Sequence, residues 1–90
     1  MKKLIPSTRF KKDLKRYLRY PNKIQELYVV LGLLQNCEQL PIKYKAHMLT
    51  GQYNGCMECH VGNDYLLIWI DEDSDTIGLV RLGSHSELFK

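Results

Sequence analysis

Hydrophobic and polar positions change period twice along the chain. Lys3-Leu4-Ile5 reads as a short strand, closed by Pro6, which lacks the amide donor a ladder needs. Ser7 follows in N-cap position, where its hydroxyl can accept an orphan N–H of a first helical turn. Phe10, Leu14, Tyr17 and Leu18 then recur at three- and four-residue spacing, the apolar stripe of a helix whose opposite face is filled with cations. Tyr20-Pro21-Asn22 ends that helix, because proline pushes the preceding residue out of helical geometry. A second helix is expected from about Lys23 to Asn36, with Ile24, Leu27, Tyr28, Leu31 and Leu34 as its stripe. So short a break between two helices suggests an αα-hairpin with one face on a sheet.

After Leu40-Pro41 the helical period is lost. Lys43 to Gln52 is irregular and polar, and His47 is expected in this loop. Tyr53 to Val61 alternates as a strand does, and Gly62-Asn63-Asp64 is a turn. Tyr65 to Ile70 is a nearly continuous apolar run, which predicts the central, most buried strand. An acidic loop, Asp71 to Asp75, leads to a strand over Thr76 to Leu82, and Gly83-Ser84-His85 leaves it. A short strand, a two-helix hairpin and an antiparallel meander make an α+β fold with helices on one face of the sheet. Ninety residues are expected to form one domain, 1–90.

The net charge of +3 says less than its distribution. Lys2, Lys3, Arg9, Lys11, Lys12, Lys15, Arg16 and Arg19 crowd the first 20 residues, against one acid, Asp13. Such a segment suits a polyanion or an acidic partner protein, and equally a solvated helix face. There is no run of about 18 apolar residues to span a membrane, and the N-terminal lysines are not followed by an apolar leader. A cytoplasmic protein is expected. The cysteines, Cys37, Cys56 and Cys59, are odd in number, which argues against a secreted disulfide framework. Cys56 and Cys59 have C-x-x-C spacing, but in a strand-like stretch rather than at the helix start that would activate a thiol. Three reduced thiols are the expectation.

Candidate chemistry lies in the second half, which holds all three histidines, His47, His60 and His85, with Glu58, Asp64 and Arg81 beside them. These residue types suit RNA cleavage. The attacking 2′-hydroxyl needs a base, the departing 5′-oxygen needs an acid, and histidine serves in either role near neutrality. Arginine's fork of donors suits the extra charge on a pentacoordinate phosphate. No metal or cofactor is called for: a zinc site from His47, His60, His85 and a cysteine is conceivable, but none of the pairs in that set has a recognised ligand spacing. The plainer readings are surface histidines and an arginine that simply pairs with an acid. In the meander, the end of the first strand and the end of the third are expected at opposite edges. Strand geometry alone is then not expected to join His60 to His85.

Three blocks carry a resemblance. Tyr44-Lys45-Ala46-His47-Met48-Leu49-Thr50-Gly51 resembles a pattern in which histidine precedes a leucine and a glycine. Glu58-Cys59-His60-Val61-Gly62-Asn63-Asp64 resembles an acid-x-His-Val-x-x-Asp block, and Arg81 to Phe89 an Arg-x-Gly-[ST]-His-x-x-Leu-Phe block. In this order they resemble the YafQ type of the RelE/ParE toxin superfamily, and Phe10 to Lys15 is similar to that superfamily's first helix. Asn63 and Tyr65 depart from a proline and a tryptophan often found there. The resemblance implies a RelE-like fold, an endoribonuclease that cuts mRNA in the ribosomal A site, and a cognate antitoxin that silences it. By the same resemblance His85 transfers a proton at the scissile phosphate. His60 and Asp64 act as base or its support, Arg81 holds the phosphate, His47 shares the proton work, and Phe89 stacks on a base. Lys11, Lys12 and Lys15 of the basic helix would meet ribosomal RNA phosphates or the antitoxin's acids. The alternatives are a ParE-like binder of DNA gyrase, a degenerate toxin kept for a repressor complex, and a redox or metal protein using the cysteines and histidines.

Overall fold

A computed structural model describes residues 1–89. The elements are β1 (Lys3–Pro6), α1 (Thr8–Tyr17), α2 (Pro21–Gln35), β2 (His47–Met48), β3 (Met57–Gly62), β4 (Tyr65–Asp71), β5 (Thr76–Gly83) and α3 (His85–Leu88). The strands form one sheet in the order β1-β5-β4-β3-β2, with β1 parallel to β5 and every other pair antiparallel. β4 is thus the middle strand, as its apolar run predicts, and Tyr65 to Trp69 are all buried.

Ser7 caps α1 as expected, its side chain accepting from the Phe10 amide. Pro21 stands at the start of α2, where a missing N–H costs nothing. The apolar stripes need correction in detail. On α1, Leu18 is 60% exposed and Asp13 is buried in line with Phe10. On α2, Leu27, Val30 and Leu34 are buried while Tyr28 is 62% exposed. The true stripe is the i, i+3, i+7 set through Val30, and Tyr28 lies off it.

Two further expectations shift. The strand expected from Tyr53 begins at Met57. Gly51 and Gly55 both have positive φ, 74° and 90°, which breaks the extended run, and Gly51–Tyr53 forms one 3₁₀ turn instead. His47, expected in a loop, lies on the two-residue edge strand β2, with the left-handed Lys45 two residues before it.

Each face of the sheet has its own apolar cluster. On one, Phe10, Leu27, Val30 and Leu34 of the helices meet Cys59, Tyr65, Leu67, Trp69, Leu79 and Leu82 of the strands. On the other, Tyr53, Cys56, Leu66, Ile68 and Leu88 pack together, with Phe89 against them. The helix pair therefore covers one face, and α3 with the 51–56 segment covers the other. The helix face supplies the larger cluster. The second face carries the candidate chemistry.

Candidate functional site

Register alone assembles the site's floor. His47 pairs with Glu58, Glu58 with Ile68, and Ile68 with Arg81. Residues directly opposite on neighbouring strands share a face, so His47, Glu58 and Arg81 stand in one row across four strands. In the next row His60 pairs with Leu66, and Leu66 with Gly83. This corrects the expectation that strand geometry keeps His60 and His85 apart. The first and third strands of a meander run the same way, so β3 and β5 finish at the same end. The chain leaves β5 there through Ser84 directly into α3, whose first residue is His85.

Each side chain on the floor is held differently. The His47 ring has Nδ1 2.8 Å from the Lys45 carbonyl and Nε2 3.2 Å from Glu58 Oε1. A carbonyl and a carboxylate both accept, so both contacts are hydrogen bonds only when both ring nitrogens carry protons. Glu58 is buried, and its Oε2 has no hydrogen-bond partner. A carboxylate oxygen removed from water and left unpaired is costly, and such groups cluster where chemistry uses them.

Arg81 is the most tightly held. Its Nε donates to Asp13 Oδ2 at 2.7 Å, Nη2 to Asp13 Oδ1 at 3.2 Å and Nη1 to the Tyr53 hydroxyl at 3.2 Å. Three of a guanidinium's five N–H donors are engaged, and the side chain is only 10% exposed. The hydrogen bonds it donates to Asp13 raise the Arg81 pKa further, so the group stays cationic. The plain reading, an arginine paired with an acid, therefore holds, and the acid is the lone carboxylate of the first 20 residues. Asp13 can reach because β1 stops pairing at Leu79, leaving the β5 edge open beyond it. There Asp13 Oδ2 also accepts the Leu82 amide at 3.0 Å.

The rim is built by α3. Ser84 accepts from the Glu87 amide while Glu87 Oε1 accepts from the Ser84 amide at 2.7 Å, a reciprocal capping box. These bonds, with one from the Tyr17 hydroxyl, hold the Glu87 carboxyl below its usual range. Asp64, in the left-handed conformation at φ 50°, accepts the His85 backbone amide at 3.0 Å. Its contact is thus with the His85 main chain, in a support role. The His85 ring is exposed and lies 4.9 Å from that of Phe89, which in turn meets Tyr53 edge-on at 5.4 Å. Tyr53 also donates to the Leu88 carbonyl at 3.1 Å, tying the end of α3 to the sheet.

The structure thus brings His47, Glu58 and Arg81 into one row, sets His60 in the adjacent row, and hangs Asp64, His85 and Phe89 at the strand ends. Lys11, Lys12 and Lys15 are exposed on α1, away from this floor. Sequence reasoning missed Asp13 and Tyr53. An acid at position 13, in step with Phe10 and Tyr17, was the available signal for the first, and nothing marked the second.

A family of bacterial toxins of type II toxin-antitoxin systems, YafQ, matches residues 2–90. The chain belongs to the YafQ family. The mRNA interferase toxin YafQ of Escherichia coli (strain K12) is 32% identical over 84 residues, covering 92% of this chain and 90% of that one. A metal-bound toxin from Helicobacter pylori is 41% identical, covers 99% of this chain and 100% of its own, and superposes with a TM-score of 0.87. YafQ in the E. coli DinJ-YafQ complex is 28% identical, with full coverage of both chains and a TM-score of 0.86. The RelE-like α+β fold expected from the sequence is therefore that of solved YafQ toxins. Among the described residues, no group of three histidine, cysteine or acidic side chains is arranged to hold a metal ion.

Proposed function

We propose that this YafQ-family toxin is a ribosome-dependent endoribonuclease that cuts mRNA in the A site by acid-base catalysis from its own side chains. A YafQ relative that covers nearly the same length is an mRNA interferase, and another is held in complex with DinJ. A cognate antitoxin is accordingly the partner that silences this chain. The site of action is the cytoplasm, and no helix among the described residues is long and apolar enough to cross a membrane.

The observation that carries the reading is the pairing of a fixed cation with an exposed histidine at one strand end. Arg81 is locked by Asp13 and Tyr53, and His85 stands open to solvent on a capped, tethered α3. An RNA phosphate over the floor meets the Arg81 cation, which offsets the charge gained as the 2′-oxygen attacks phosphorus. His85 transfers a proton directly at that phosphate, and His60, on the neighbouring row, faces the other side of the reaction. His47, 3.2 Å from Glu58, shares the proton work. Phe89, braced by Tyr53, stacks on or orients an unpaired base. Lys11, Lys12 and Lys15 meet ribosomal RNA phosphates.

Induced expression in bacteria, with primer extension on a reporter mRNA, tests this. Wild type should arrest growth and create new mRNA ends, and His85→Ala at equal expression should do neither. An alanine variant as toxic as the parent would sink the assignment. Arrest by both without new ends would point to a gyrase-type binder, and no effect from either to a degenerate toxin.

A further inference from the structure

A second concave surface lies behind α3, between that helix and the junction of α1 with α2. It encloses about 670 Å³, within the roughly 300–1,000 Å³ of ordinary ligand sites. Arg16, Arg19 and Lys23 line one side, Ser86 and Glu87 the other, with Tyr20 between. The single carboxylate is already satisfied. Glu87 Oε1 accepts from the Ser84 amide and the Tyr17 hydroxyl, and Oε2 lies 3.7 Å from Arg16 Nε. Arg19 and Lys23 have no carboxylate within ion-pair distance among the described residues, and Lys23 Nζ sits 5.0 Å over the Tyr65 ring. Arg19 is therefore a cation with no carboxylate partner among the described residues, and Lys23 is held only by the face of the Tyr65 ring. Tyr20 is 47% exposed, and its ring stands 6.4 Å from Tyr17 at a tilt of 56°, which leaves it open for stacking.

We propose that this groove is a nucleotide subsite, in which Arg19 and Lys23 take RNA phosphates and Tyr20 stacks on a base flanking the cut. The inference rests on the RNA-cutting reading, because the same four-residue helix forms the groove's wall and carries His85. Such a helix is only about 6 Å long, so a strand crossing its start passes from groove to His85 within a nucleotide or two. Cations beside an exposed aromatic suit single-stranded nucleic acid, where charge tracks the backbone and every base offers a π-face. An acidic polypeptide would use the same cations, and the groove's place against the helix that carries His85 is what favours RNA.

The test uses the full chain and a fluorescent, single-stranded octaribonucleotide, titrated at several salt concentrations. Arg19→Ala/Lys23→Ala should weaken binding and flatten the log–log salt dependence by about 1.4, two single-strand phosphate contacts. Tyr20→Ala should lower affinity roughly fivefold or more, and Tyr20→Phe should restore it. Arg19 and Tyr20 are exposed and Lys23 is half-buried over Tyr65, so circular dichroism should match the parent's and the stability read from urea unfolding should change by no more than that one cation–π contact, about 0.5–2 kcal/mol. Parental affinity and salt slope in both alanine variants would overturn the subsite. So would loss of poly-glutamate binding with RNA binding intact, which would mark a protein-docking surface. Reporter mRNA cleavage separates the two readings. Normal mRNA ends with unaltered RNA binding by the variants would reject the groove alone. Weakened variants of a parent that makes no ends would reject the ribonuclease and keep the groove.

Discussion

At the scale of single residues, Asp13 decides the most. It is the one acid in a cationic segment, it is buried, and it accepts from Arg81 twice, from the Leu82 amide and from Arg16 at 2.9 Å. Removing it leaves a guanidinium out of water with only a tyrosine hydroxyl beside it. Breaking one side of a buried pair typically costs about 3–5 kcal/mol. Asp13→Ala should therefore lower the unfolding free energy read from urea denaturation by an amount in that range, and mRNA cleavage should fall as well because Arg81 loses its orientation. A loss of less than about 1 kcal/mol would show that the pair is worth no more than an exposed one. The block resemblance named Arg81, but only the three-dimensional contacts named what holds it. Asp13 and Arg81 lie 68 positions apart, and no local pattern reports such a pairing.

At the scale of elements, α3, which carries the proposed proton-transfer group His85, has the least stability of its own. Four residues are too few to nucleate a helix in water. It persists through its capping box, the Asp64 bond to the His85 amide and the Tyr53 bond to the Leu88 carbonyl. Glu87 makes this tether pH-dependent. Its carboxyl is held below the ordinary value of 4.5, chiefly by the Ser84 amide. A carboxyl depressed by folding contributes stability that is present above its unfolded value and lost as pH falls through the folded one. Wild type should thus lose part of its stability on acidification below about 4.5, and Glu87→Gln should lack that part of the pH dependence. Urea midpoints between pH 3 and 7 measure it, and parallel curves for the two proteins would refute it. Ser84→Ala, which removes the other half of the box, should cost about 1 kcal/mol. The C-terminal block was legible as a motif, whereas its helical form was not, because a single turn leaves no periodicity to read.

At the scale of the whole molecule, the sheet separates groups that are close in sequence. Cys56 packs with the α3-side cluster and Cys59 with the helix-side cluster, so the C-x-x-C pair is divided by the sheet rather than poised to form a disulfide. Burial pushes the Cys59 thiol up to about 12, helped by the Glu58 charge, and burial also raises Cys56. Cys37 alone is exposed. A thiol-specific alkylating reagent at pH 8 should modify one cysteine rapidly in the native protein and all three only after denaturation. Fast native labelling of Cys59 would contradict the packing described, since the thiolate is the reacting form.

The two long helices, the central and last strands, the fold class and family membership were legible in the sequence itself. Period-3.6 and period-2 patterns, a serine cap, a proline break and a long apolar run are local signals, and each reports the solvent exposure its own residues require. Tertiary structure alone decided which face holds the chemistry and what supports it. The row from His47 through Glu58 to Arg81 depends on register across four strands. That His60 and α3 lie at the same end of the sheet depends on the parallel course of β3 and β5, and the Arg81 anchor on an edge left open where β1 stops. Each is a relation between distant segments, set by backbone pairing and packing that no single window of residues contains.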